Sequence, residues 1–63
     1  MSKYWFVDLY DWGLTGIEFS VSKTEIEVIN YLKSFYNLEK GKDYDDLWEC
    51  KKSELYLSGV DIM

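Results

Sequence analysis

The run Lys3–Trp12, K-Y-W-F-V-D-L-Y-D-W, constrains the fold of this 63-residue chain more than any other segment. Its aromatic and β-branched residues favour a pleated strand. Alternation places Trp5, Val7 and Leu9 on one face and Tyr4, Phe6, Asp8, Tyr10 and Trp12 on the other. Both faces are largely apolar. Such a strand belongs at the centre of a sheet with material on each side, or it turns its second face to a partner.

The following residues supply a pairing strand and a helix. Gly13-Leu14-Thr15-Gly16 reads as a turn. Ile17–Val21 alternates, with Ile17, Phe19 and Val21 inward and Glu18, Ser20 and Ser22 outward, so the two runs form a hairpin. Ser22-Lys23-Thr24-Glu25 fits a capping box with Ser22 as N-cap, and Thr24 with Glu27 forms a second box two residues on. Apolar residues then recur at helical spacing from Ile26 to Tyr36, and Lys40-Gly41 is the expected stop. Asp43–Ser53 admits two readings. A short helix capped by Asp43 is favoured over a strand at Leu47–Lys51. Glu54–Ile62 is expected as the closing strand, with a bulge at Gly59. The predicted fold is α+β in the order ββα[α]β: a three-stranded, mainly antiparallel sheet with one amphipathic helix packed on it and a second short helix.

The length implies one domain, residues 1–63, and a composition of 48% hydrophobic and 19% aromatic residues argues for a folded chain. Cys50 is the only cysteine, so no disulfide forms within the chain. That favours an intracellular, cytoplasmic protein. Asp8 and Asp11 interrupt the N-terminal apolar run, which does not read as a signal peptide, and no run approaches the roughly 20 apolar residues of a membrane span.

The absences narrow the chemistry. The chain has no His, Arg, Pro, Gln or Ala, and its seven lysines face twelve carboxylates for a net charge of −5. Without guanidinium forks, and with like-charge repulsion from phosphates, direct nucleic-acid binding is disfavoured; a basic protein surface suits the charge. Cys50 has Lys51 and Lys52 beside it but no histidine base, so an inert thiol is the plainer reading. Asp43, Asp45 and Glu54 fall at positions one, three and twelve of a calcium loop, yet Trp48 stands where that loop requires glycine. No metal, cofactor or catalytic set is expected. Two features remain for binding a partner. One is the strand face of Tyr4, Phe6, Asp8, Tyr10 and Trp12, unless that face is core beneath the helix, as aromatic stripes usually are, with Trp5, Val7 and Leu9 pointing elsewhere; the other is the acidic patch of Asp43, Asp45, Asp46 and Glu49. One long helix covers one sheet face. The other face awaits the Tyr44–Trp48 segment, a second copy of the chain, or a different protein.

In length, carboxylate content, lack of arginine and a chain that reads as complete from Met1 to Met63, the sequence resembles the small acidic inhibitor proteins of phages and mobile elements. These are anti-restriction, anti-CRISPR and host-takeover proteins, some of which imitate DNA with carboxylates. The resemblance implies a stoichiometric inhibitor of a host or defence protein. An obligate homodimer with a structural or assembly role is the alternative, its apolar face sealed against itself.

Overall fold

A computed structural model describes residues 1–63. The elements are β1 (Ser2–Leu9), β2 (Gly13–Lys23), α1 (Glu25–Tyr36), β3 (Tyr44–Cys50) and α2 (Lys52–Leu57). The sheet is antiparallel, in the order β2-β1-β3. The strand with two apolar faces is therefore the central one, as its pattern demands. The three-stranded sheet, the packed helix and the second short helix are all as expected. The segments that form the last strand and the short helix are exchanged, giving ββαβα rather than ββα[α]β.

That exchange has a packing cause. Residues 44–50 pair with β1, setting Leu47 beside Val7 and Trp48 beside Phe6. Tyr44 and Leu47 then join Trp5, Val7, Ile17, Val28 and Leu32 in one core beneath α1. A free helix of this segment would bury one stripe; as a strand, the segment contributes to both faces. Residues 52–57 bury only Leu55, which a helix of a turn and a half can present, and leave Tyr56 and Leu57 exposed.

Local signals set the boundaries. Thr24, not Ser22, caps α1: its Oγ1 accepts from the Glu27 amide at 3.3 Å, and Glu27 accepts from the Thr24 amide at 2.9 Å. The helix stops at Asn37 in the left-handed region (φ 55°), earlier than Lys40-Gly41, with the Leu38 amide donating to the Leu32 carbonyl at 3.0 Å. The hairpin loop is Tyr10-Asp11-Trp12, closed by the Leu9–Gly13 pair. It precedes the expected Gly13–Gly16 turn, and Gly13, directly after the loop, takes a positive φ (97°). Between the Ser2–Lys23 and Tyr4–Glu18 pairs, Lys3 faces Phe19–Ser22, so β2 bulges outward. Val21, expected inward, is exposed there.

The second face of the sheet is covered by α2. Leu55 is buried over Gly16, and Phe6 is buried beside Trp48 with ring centroids 5.6 Å apart. Of the anticipated covers, the Tyr44–Trp48 segment contributes Trp48 to this face, alongside α2. Past α2, Gly59 (φ 72°) reverses the chain, and Asp61–Met63 lie along the outer edge of β2. There the Gly16 amide donates to the Asp61 carbonyl at 2.8 Å, and the Met63 amide donates to the Gly16 carbonyl at 2.8 Å. Glycine at 59 thus serves to end a helix rather than to bulge a strand. No helix is long and apolar enough to cross a membrane.

Candidate functional site: the acidic hairpin tip

The β1–β2 loop projects Tyr10 and Trp12, which are 54% and 72% exposed. The loop is anchored from both sides. The Tyr10 amide donates to the Asp43 carbonyl at 2.9 Å, and the Trp12 amide donates to the Leu9 carbonyl at 3.4 Å. Asp43 in turn accepts from the Glu39 amide at 2.8 Å, which fixes the turn leading into β3. Two exposed aromatics therefore stand on a braced support.

Around them gather the aspartates. Asp11 lies in the loop itself. The pairing of β1 with β3 slips by one residue between Val7–Leu47 and Leu9–Tyr44, so Asp8 faces both Asp45 and Asp46. Hydrogen bonding to Asp45, then desolvation and the charges of Asp45 and Asp46, push the Tyr10 hydroxyl up to about 12. The two ion pairs of the fold are Met1 amine–Glu49 at 3.6 Å and Lys33–Glu39 at 3.4 Å. Neither uses an aspartate. Lys3, Lys23, Lys51 and Lys52 sit at the opposite end of the strands, while Lys40 and Lys42 lie in the turn leading into β3, at the same end as the loop.

The sequence-predicted residues thus divide. Tyr10 and Trp12 join Asp8, Asp45 and Asp46 at one end of the sheet, merging what the sequence presented as two separate features. Asp43 is half-buried and occupied as a turn brace. Phe6 is buried and Tyr4 half-buried, so these two belong to packing beneath α2 and do not extend the aromatic surface. Glu49 pairs with Trp5, away from the loop, and contacts the Met1 amine.

Beside Trp12 lies a groove of about 280 Å³ that the sequence did not reveal. It is lined by Leu9, Trp12, Thr15, Asp61, Ile62 and Met63. Its far wall exists only because the last three residues fold back onto β2, a contact without a local signature. No group of three or more Asp, Glu or Cys side chains is arranged to hold a metal ion. Burial, with the Glu54 carboxylate nearby, pushes the Cys50 thiol up, opposite to the direction that makes a cysteine nucleophilic. The chain matches no protein-family model, no curated protein and no solved structure.

Proposed function

We propose that this chain is a non-catalytic, cytoplasmic protein-binding module, a stoichiometric inhibitor of a host or defence protein, and that it docks through the hairpin tip. The observation that carries the reading is Trp12, 72% exposed on a braced loop at the end of the sheet where Asp8, Asp11, Asp45 and Asp46 lie without an ion pair to any lysine. Exposed tryptophan on a rigid support is the residue type that anchors interfaces. Unpaired carboxylates around it steer a basic partner and reject acidic ones. On a nucleic-acid-binding target, the same carboxylates occupy the place of phosphates, which is the DNA-mimic form of the proposal.

Affinity capture from a lysate of the source cell, with wild type, Trp12→Ala and the triple variant Asp8→Asn/Asp45→Asn/Asp46→Asn, tests it. Wild type retains a partner in one-to-one amount. Trp12→Ala weakens binding by about 30-fold or more, as for an interface hot spot. If the partner is bound as DNA would be, the triple variant and raised salt release it. Equal retention by all three proteins overturns the reading. Sedimentation of the purified chain addresses the homodimer: a concentration-independent monomer removes it, and a dimer broken by Trp12→Ala puts it in place of the inhibitor.

A further inference from the structure

We infer that the groove beside Trp12 is a subsite for one cationic side chain, a lysine or arginine, on the docking partner; the inference rests on the docking reading and specifies its chemistry. Leu9, Ile62 and Met63 give the groove an apolar floor suited to an alkyl stem. Trp12 lines it and is 72% exposed, so the indole is open to a cation. Asp61, exposed and free of ion pairs, lines the same groove, and Asp11 adjoins Trp12 in the chain. No lysine lines it. A largely apolar groove lined also by an indole and a carboxylate complements an alkylammonium or alkylguanidinium and nothing acidic. A purely aliphatic side chain would fill the floor and leave the charge unanswered.

The isolated chain, labelled with ¹⁵N, is titrated with the blocked single residues acetyl-lysine, acetyl-arginine and acetyl-norleucine N-methylamides. The cationic probes shift the Trp12 indole N–H and the Thr15 and Met63 amides saturably. Norleucine, which keeps the stem and lacks the charge, binds about two- to fivefold more weakly, the difference an exposed cation–π contact supplies. Asp61→Asn narrows that preference while keeping its backbone bond to Gly16. Trp12→Leu also narrows the preference and the double variant Trp12→Leu/Asp61→Asn abolishes it, with the dispersion of the remaining amides reporting that the fold is intact. No shift at the groove, or equal binding of norleucine and lysine, overturns the inference. The two proposals fail separately. A partner captured through Trp12 without any cation preference leaves docking in place and removes the subsite. A cation preference without Trp12-dependent capture does the reverse.

Discussion

Gly16 on β2 leaves the space that the Leu55 side chain of α2 occupies. A Cβ at Gly16 would overlap the Leu55 Cδ1 methyl and lie 3.4 Å from Ile62 Cγ1. The peptide groups of the same glycine hold Asp61 and Met63. One residue without a side chain therefore seats both the short helix and the returning tail. Leu55 is 1% exposed and cannot rotate away without opening a void. Gly16→Ala is expected to destabilise the fold by about 1–3 kcal/mol, the usual range for overpacking. Urea denaturation measures the loss, and faster amide exchange at Met63 shows that the tail loosens with the helix.

The short helix is held by one side chain. Leu55→Ala removes its only buried side chain, for a loss of about 2–5 kcal/mol. Leu57, in the same helix and 87% exposed, provides the control. Leu57→Ala is expected within about 0.5 kcal/mol of wild type in the same denaturation experiment.

The two candidate caps of α1 separate cleanly. Thr24→Ala removes the side-chain bond to the Glu27 amide and is expected to cost about 1 kcal/mol, whereas Ser22→Ala makes no such change. Hydrogen bonds from the Thr24 backbone and side chain hold the Glu27 carboxyl below its ordinary value. Its contribution to stability is therefore present above the unfolded carboxylate range and lost as pH falls through the lowered folded value. Thermal melts over the acid range are expected to show a shallower decline for Glu27→Gln than for wild type.

Tyr10 titrates on the alkaline side. With its hydroxyl pushed up to about 12 beside Asp45, the folded state keeps a proton that the unfolded state releases earlier. The associated stability is present below the ordinary tyrosine value near 10 and is lost as pH rises toward the folded value. Asp45→Asn is expected to bring Tyr10 back toward the ordinary value. Carbon-detected NMR of labelled tyrosine follows this ring apart from Tyr31, Tyr44 and Tyr56, whose hydroxyls are also raised.

The candidate site was legible only in pieces. Tyr10, Trp12 and the aspartates were all visible as residue types. Their meeting depends on the slip that sets Asp8 against Asp45 and Asp46, and on the Tyr10 amide reaching Asp43 across 33 residues of chain. Alternation gives Phe6 a face without saying what lies on it, and what lies there is Trp48 and α2. The groove was invisible, since Asp61–Met63 carry no signal for a seat on β2.

What the sequence determined by itself is local. Two apolar faces made β1 the central strand, a capping box began α1, and the lack of histidine and arginine limited the chemistry. The tertiary structure decided which of two short segments became the third strand. Residues 44–50 and 52–57 each satisfy a weak local pattern, and neither can fold alone. Pairing of the first segment with β1 buries Tyr44 and Leu47 beneath α1 and packs Trp48 on Phe6. That left the second segment to cover the notch at Gly16 with Leu55. Local propensity differs between such alternatives by tenths of a kcal/mol per residue, whereas each buried large side chain contributes roughly 1.5–3 kcal/mol, so long-range burial made the choice.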